Sequence, residues 1–225
     1  MDFKTFFAID KKDIQRNCII CQNYDLSLFS NKISNGFFVK CANTANATVI
    51  ALKNNFLAGD TILYLKNTIC ENIFLFGSCG GCNGRDYGDM LIVDKAYNFE
   101  SFSDMLNSRE EINWQQTTQH LYNAFSAKNA HTALIKTNTA CVSSLLLERN
   151  FLKWFKEKQI SITDMESSIV LSAAKHINKN AIILTYVADI IGQELQIKIN
   201  IKNKQKIAFS RKKLSQCLTE FCSRV

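Results

Sequence analysis

The chain alternates between two spacings of its apolar residues, one typical of strands and the other typical of helices. Short apolar runs predict strands at residues 18–21, 37–41, 73–76, 90–93, 132–136 and 181–187. Apolar residues recurring every three or four positions predict helices at residues 45–59, 101–125, 142–156, 165–177 and 210–222. Strands that alternate with helices indicate an α/β fold, and the nearly continuous apolar run at 181–187 is typical of a central strand buried on both faces.

Length and composition are those of one globular domain, which we predict to span residues 1–225. The chain is 47% hydrophobic and 21% charged, and it has no run of about 20 apolar residues that could cross a bilayer. Acidic residues lie on both sides of the short apolar run near the start, which is unlike an export signal. We therefore expect a cytoplasmic protein with no membrane segment.

The net charge of +7 is concentrated near the end of the chain, where residues 198–213 hold seven Lys or Arg and no acidic residue. Leu195, Ile197, Ile199 and Ile201 alternate with polar residues, which predicts a strand with one buried face and one solvated basic face. An anion or RNA contact is the alternative. Because no aromatic interleaving or zinc knuckle accompanies the charge, a nucleic acid partner is not expected.

Nine cysteines in a chain without a recognisable export signal indicate reduced thiols. Cys18-x-x-Cys21 and Cys79-x-x-Cys82 have the spacing of zinc ligands. However, residues i and i+3 of a strand point to opposite faces, so Cys18 and Cys21 cannot readily bind one ion. We therefore predict no metal site, although the second pair lies on a predicted turn where a metal or redox role stays open.

Glycines directly follow the predicted strand at residues 73–76. Gly77, Gly80 and Gly81 have no side chain to hinder a close approach of the backbone to a ligand. In α/β proteins ligands bind at the carboxyl ends of strands, which is where this glycine turn is expected. A purely structural turn is the alternative.

Three segments together resemble the nucleoside phosphorylase and nucleosidase superfamily. They are IFLFGSCGGCNGRDYGDMLIVDKAY at 73–97, ITDMESSIVLSAA at 162–174, and AIILTYVADIIG at 181–192. The resemblance covers about residues 45–192 and implies a single domain with a central mixed β-sheet flanked by helices. It also implies cleavage of the N-glycosidic bond of a nucleoside, without a metal or redox cofactor, by a homo-oligomer that is a dimer or a hexamer.

The resemblance assigns Glu166 to the ribose, because a carboxylate accepts hydrogen bonds from two hydroxyl groups, and places Met165 against the sugar. The alternative is that Glu166 only complements the positive end of the helix that follows. Asp189 matches the acid that protonates the departing base, and we expect burial to raise its pKa. A helix cap is the alternative for Asp189, and Ala188 stands where the family usually has a serine. Relatives specific for uridine lack this aspartate, so a purine nucleoside is favoured.

The acceptor of the ribosyl group is less defined. Leu75 stands where phosphorylases of this family carry a phosphate-binding arginine, which favours hydrolysis. Ser78 is a candidate contact to the acceptor or the sugar, and Asp25 is a candidate to activate water. Phosphate as a co-substrate, bound by Arg16 or Arg85, is the first alternative. A member that kept the fold and binds nucleosides without turnover is the second.

Overall fold

Strands and helices alternate along the computed structural model, which describes residues 1–30, 32–99, 113–144, 146–192 and 199–225. The strands in these ranges are β1 Asn17–Gln22, β2 Ser34–Asn35, β3 Val39–Asn43, β4 Thr48–Leu52, β5 Asn72–Gly81, β6 Met90–Phe99, β7 Trp114–Gln116, β8 Leu134–Val142, β9 Ile160–Asp164 and β10 Asn180–Ile190. The helices are α1 Phe3–Phe7, α2 Ala58–Tyr64, α3 Gln119–Lys128, α4 Leu152–Glu157, α5 Ser167–His176 and α6 Ile201–Cys222.

The strands form one mixed sheet in the order β10-β6-β8-β9-β5-β1-β4-β3-β2, and β7 pairs with β6. An additional pairing between β10 and β5 joins five of these strands into a closed ring. The first half of β5 pairs in parallel with β1, and its last two residues pair antiparallel with β9. Because β5 pairs with β1, β9 and β10, its carboxyl end lies where these strands come together.

Helices cover both faces of the sheet. Apolar residues of α1, α2 and α5 pack on one face, and those of α3 and α6 pack on the other. The side chains of β1 divide between the two clusters, with Cys18 in the first and Cys21 in the second, as expected from the alternation of a strand. This arrangement confirms the predicted α/β class with a central mixed sheet flanked by helices.

The most apolar predicted elements are present in the structure. The predicted strand at 181–187 lies within β10, where Ala181 to Ala188 are buried throughout. The predicted helix at 165–177 corresponds to α5, and the predicted helix at 210–222 is the second half of α6. Helix α6 begins earlier than predicted because the Asn200 side chain caps it by accepting from the backbone nitrogen of Asn203, at 2.9 Å.

The predicted helix at residues 45–59 is wrong, because residues 48–52 form the buried strand β4 between β1 and β3. Three successive residues of this segment, Thr48, Val49 and Ile50, are β-branched and favour a strand. Helical structure is confined to the end of the predicted helix, where Asn55–Leu57 form a 3-10 turn and Ala58 and Gly59 begin α2. The helical spacing and the β-branched run favour different structures for this segment. Burial of both faces of β4 in the sheet favours the strand.

Two other predicted helices are shorter than expected. Part of the prediction at 101–125 lies outside the described residues, residues 114–116 form β7, and α3 begins at Gln119. At 142–156, Val142 ends β8, and the helical residues are a 3-10 turn, Glu148–Phe151, and then α4. The predicted strand at 195–201 falls largely outside the described residues, and Ile201 is the first residue of α6.

The predicted glycine turn is wrong, because β5 continues through Gly80 and Gly81. A β-carbon on Gly81 would lie 2.8 Å from Cγ1 of Val187, and one on Gly80 would lie 2.9 Å from Oγ1 of Thr163. These glycines therefore allow neighbouring strands to approach closely, which a side chain would prevent. The chain turns instead at Asn83 and Gly84, where φ is 49° and 91°.

Within the described ranges, none of the helices has the length and hydropathy needed to span a membrane.

Candidate functional site

A cavity of about 470 Å³ lies at the carboxyl ends of β1, β5 and β10 and beside the turn that leads from β9 into α5. This is the position expected for a ligand site in an α/β sheet. The residues that line it include Met165, Glu166, Ser78, Gly77, Gly80 and Asp189, all of which were singled out from the sequence. Gly81 does not line the cavity and is instead packed against Val187, Arg85 and Ile190.

Glu166 is the residue that ends the β9–α5 turn, and it is only 7% exposed. Its Oε1 atom accepts a hydrogen bond from Nε2 of Gln22, at 2.8 Å. Burial and the neighbouring charge of Asp164 raise the pKa of Glu166 to about 7. The carboxyl group is therefore partly ionised near neutral pH and can accept further hydrogen bonds from a ligand in the cavity.

Asp164, rather than Glu166, caps helix α5. Its Oδ1 atom accepts from the backbone nitrogens of Glu166 and Ser167, at 3.2 and 2.9 Å. Its Oδ2 atom accepts from the hydroxyl groups of Thr139, at 2.9 Å, and Ser167. The side chain of Glu166 makes no capping bond to the helix. The alternative role for Glu166, complementing the helix N-terminus, is therefore taken by Asp164.

Asp189 lies near the end of β10, just after an irregularity in the pairing with β5. Val187 pairs with Cys79 and Asp189 pairs with the next residue, Gly80, so Ala188 is an extra residue on β10. Such a bulge changes the direction of the side chain that follows it. Asp189 is partly buried and lines the cavity, with Oδ2 3.3 Å from the point that a β-carbon on Gly80 would occupy.

Tyr24 and Thr185 fix the cavity wall formed by Gly77 and Ser78. The hydroxyl oxygens of Tyr24 and Ser78 are 2.9 Å apart, and the Thr185 hydroxyl donates to the carbonyl oxygen of Gly77, at 2.9 Å. No atom lies within 4 Å of where a β-carbon on Gly77 would be. Ser78 therefore presents a hydroxyl group and Gly77 an unobstructed backbone to the cavity.

The residues proposed for the acceptor lie elsewhere. Asp25 is completely buried and does not line the cavity, so it cannot activate water there. Its Oδ1 atom accepts from Nε of Arg211, at 2.5 Å, and from the Tyr186 hydroxyl, at 3.3 Å. Burial raises the pKa of Asp25 to about 6, while Arg211 opposes this change. The pair anchors α6 to the segment that follows β1.

The candidate phosphate-binding arginines are also outside the lining of the cavity. Arg16 precedes β1, at the opposite end of that strand from Gln22, and forms an exposed ion pair with Glu71 at 2.7 Å. Arg85 lies in the turn after β5 and faces Asp89, with 3.8 Å between Nη1 of Arg85 and Oδ2 of Asp89. Among the described residues that line the cavity, three are carboxylates, Asp164, Glu166 and Asp189, and none is a Lys, Arg or His.

The nine cysteines all lie within the described ranges and are all buried thiols. Cys79 faces the cavity, and burial raises its pKa well above the usual value. Across the described residues, no three His, Cys, Asp or Glu side chains are grouped as they would be around a metal ion. The predicted absence of a metal site stays a prediction.

Sequence reasoning gave no role to several residues at or near this site, among them Gln22, Thr163, Asp164 and Glu148. Gln22 and Thr163 line the cavity, and Glu148 accepts a hydrogen bond from the Thr163 hydroxyl at 2.7 Å. Asp164 could have been recognised, since an acid two or three residues before a helix is a capping signal. No local pattern marks the other three, because their roles depend on which strands become neighbours.

A sequence model of the Phosphorylase superfamily matches residues 42–223 of the chain. No curated protein matches it in sequence.

Solved structures of low sequence identity share the fold. The 5'-methylthioadenosine/S-adenosylhomocysteine nucleosidase of Campylobacter jejuni superposes with a TM-score of 0.73 at 11% identity, over 94% of this chain and 100% of that one. A uridine phosphorylase of Vibrio fischeri ES114 gives 0.77 at 12%, over 96% and 95%. A Streptococcus pneumoniae nucleosidase in complex with 8-aminoadenine gives 0.69 at 13%, over 94% and 100%. The fold is thus shared by hydrolases and phosphorylases alike.

Proposed function

The chain belongs to the Phosphorylase superfamily, and from this premise we propose that it cleaves the N-glycosidic bond of a purine nucleoside or related compound, with water favoured over phosphate as acceptor. Members of the superfamily are nucleoside phosphorylases or hydrolases. The observation that carries the proposal is that Glu166 and Asp189, which come from separate elements, line one cavity of about 470 Å³.

The reaction requires hydrogen-bond acceptors that bind the ribose and a group that donates a proton to the departing base. As the bond from sugar to base breaks, positive charge develops on the ribose and negative charge on the base. An ionised Glu166 accepts hydrogen bonds from the ribose hydroxyls and is close enough to Gln22 for the two to position the sugar together. Asp189 gives its proton to a ring nitrogen of the base, so that the base leaves as a neutral molecule.

The charge of the cavity supports water as the acceptor. Phosphate is an anion, and its sites in proteins usually supply arginine, lysine or a helix N-terminus. The described lining residues contribute three carboxyl groups and no Lys, Arg or His, so an anion would find no cationic side chain in this cavity. Water carries no charge and finds hydrogen-bond partners in the hydroxyl groups of Ser78 and Tyr24. The reaction so proposed uses no metal or redox cofactor.

We propose that the protein acts as a homo-oligomer in which a second subunit covers the cavity entrance. Phe56 is 82% exposed and is adjacent in sequence to Asn55, which lines the cavity. A large aromatic side chain left in water at this place is typical of an interaction surface. Light scattering coupled to size exclusion measures the oligomer directly, and Phe56→Asp should shift it toward the monomer; a monomeric wild-type protein contradicts the proposal.

The test of the activity is chromatographic detection of free base. Adenosine, inosine, guanosine, methylthioadenosine and uridine are each incubated with the protein, with and without phosphate. Base released from a purine nucleoside without phosphate supports the proposal. Release that requires phosphate would make the protein a phosphorylase, and release from uridine alone would contradict the purine assignment. If calorimetry shows that a nucleoside binds but no base appears, the protein is a nucleoside-binding member without turnover.

A further inference from the structure

A further buried carboxyl group, which does not line the cavity, lies behind the cavity wall. Glu148 is the first residue of the 3-10 turn that precedes α4, and it is only 4% exposed. Its Oε2 atom accepts a hydrogen bond from Oγ1 of Thr163, at 2.7 Å. Thr163 itself lines the cavity. Glu148 is therefore connected to the cavity by one hydrogen bond, which the Thr163 hydroxyl group donates.

The same hydroxyl group lies close to the Asp189 carboxylate. A β-carbon on Gly80 would be 2.9 Å from Oγ1 of Thr163 and 3.3 Å from Oδ2 of Asp189, so the two oxygens approach the same small space. That space exists because Gly80 has no side chain. The antiparallel pairing of Gly80 with Thr163 and the parallel pairing of Gly80 with Asp189 hold all three residues in register.

The two carboxyl groups influence each other electrostatically. Burial raises the pKa of Glu148 to about 7, the hydrogen bond from Thr163 lowers it, and the charge of Asp189 raises it further. Cys82 is another titratable group near Glu148; burial and the charge of Glu148 raise its pKa to about 12, and Arg85 opposes this change. Because this repulsion is mutual, an ionised Glu148 likewise disfavours ionisation of Asp189, so the two acids do not both ionise easily.

We propose that Glu148 is a positioning residue for the Asp189 acid: the two side chains share one proton next to the Thr163 hydroxyl, and this holds Asp189 protonated and in place at neutral pH. The proposal rests on the proposed function, in which Asp189 protonates the base. As the glycosidic bond breaks, its electron pair leaves with the base and the proton passes from Asp189 to a base nitrogen. The attacking water gives its hydroxyl group to the ribose and releases a proton, which restores the shared one.

A titration without any ligand tests the shared proton. The carboxyl carbons of 13C-labelled aspartate and glutamate are followed by NMR from pH 4 to pH 9, with Glu148→Gln and Asp189→Asn used to assign the two signals. We expect the midpoint of Glu148 to fall by about one pH unit in Asp189→Asn, and that of Asp189 to fall similarly in Glu148→Gln. If neither midpoint moves in the other variant, the coupling does not exist and the inference is wrong, whether or not the protein turns over nucleosides.

Kinetics then test the positioning role. On a nucleoside that the wild-type protein cleaves, Glu148→Gln should lower kcat at least tenfold at pH 8, keep KM within a factor of two to three, and move the alkaline limb of kcat to lower pH. Thr163→Val replaces the hydroxyl group by a methyl group and should also lower kcat and move its alkaline limb to lower pH. Thr163→Ser restores the hydroxyl group and should recover most of kcat.

The controls separate this inference from the proposed function and from simple misfolding. Glu71→Gln changes an exposed glutamate paired with Arg16 and should leave kcat and its pH profile unchanged. If wild-type protein releases base and both Glu148→Gln and Thr163→Val keep the wild-type kcat and pH profile, Glu148 has no positioning role and the proposed function stands. If Glu148→Gln does not fold, the comparison of kcat in Thr163→Val and Thr163→Ser still tests the positioning role, and equal kcat values in these two variants would contradict it.

Discussion

Nε2 of Gln22 lies 2.8 Å from Oε1 of Glu166, which joins the end of β1 to the turn before α5 across 144 residues of sequence. The contact links two walls of the cavity and sets the orientation of the carboxyl group. It also uses one of the positions from which Glu166 can accept a hydrogen bond. A ribose that binds here would share Glu166 with the Gln22 amide, or displace it.

We predict that Asp189→Asn abolishes base release and leaves nucleoside binding largely intact. An amide of nearly the same shape keeps contacts in the cavity but does not supply an acidic proton to the base, and general acid catalysis typically contributes about 10² to 10⁴-fold to the rate. Chromatography measures release and calorimetry measures binding. Asp10→Asn, a change in an exposed ion pair with Lys4, serves as the matched control. Wild-type turnover in Asp189→Asn would remove this residue from the mechanism.

Glu166→Gln should weaken both nucleoside binding and base release, because an amide is a poorer acceptor for ribose hydroxyls than a carboxylate. The pKa of Glu166 is raised to about 7, so in wild-type protein the affinity for a nucleoside should increase as the pH rises from 6 to 8. The variant should lack this increase, since glutamine does not titrate. Calorimetric titration at several pH values measures both. A pH dependence that is the same in the variant and the wild-type protein would show that Glu166 is not the titrating group.

Gly80→Ala should lower activity more than it lowers stability. The new β-carbon would lie 2.9 Å from Oγ1 of Thr163 and 3.3 Å from Oδ2 of Asp189, so one of the two must move. A displacement of about 1 Å at a reacting group can cost about 10²-fold in rate. Gly77→Ala is the matched control for folding, because no atom lies within 4 Å of its β-carbon position. If Gly80→Ala keeps wild-type turnover, Asp189 does not need its observed position.

Arg211→Gln should destabilise the protein by about 3 kcal/mol at pH 8, the lower end for breaking a buried ion pair, since the Arg211 side chain is 27% exposed. It leaves the buried Asp25 without its cation. Urea unfolding measures the change, and Arg16→Gln, in an exposed pair with Glu71, should cost less than about 1 kcal/mol. An equal effect of both substitutions would contradict the importance of the buried pair.

The loss caused by Arg211→Gln should be smaller at pH 5 than at pH 8. The folded pKa of Asp25 is raised to about 6 from 3.8, so protonation of Asp25 favours the folded state fully below pH 3.8, and this contribution is lost as the pH rises through 6. Arg211 lowers the pKa of Asp25, so in Arg211→Gln this contribution to stability is lost at a higher pH than in the wild-type protein. At pH 5 the variant then buries a neutral carboxyl group, whereas at pH 8 it must bury a charge or protonate it.

Strands and helices could be predicted from the sequence where one spacing of apolar residues was dominant. The run at 181–187 has no competing pattern, and it is a buried strand. Residues 45–59 carry both a helical spacing and a β-branched run, and the helical spacing predicts the wrong element there. The candidate site was predicted in part: Glu166, Met165, Ser78 and Asp189 line one cavity, while Asp25, Arg16 and Arg85 do not. Those three were selected only because acceptor chemistry needs an acid or a cation.

The sequence by itself predicted the α/β class and its most apolar strands and helices, and the resemblance of short segments to the superfamily pointed to Glu166 and Asp189 as candidate site residues. Tertiary structure decided which of the other polar residues reach the site. Gly80 lies next to Thr163 because β5 pairs with β9, and Asp25 is buried against Tyr186 and Arg211, which lie 161 and 186 residues away. The physical reason is that periodicity and propensity act over a few residues, whereas strand pairing and burial depend on segments that are distant along the chain.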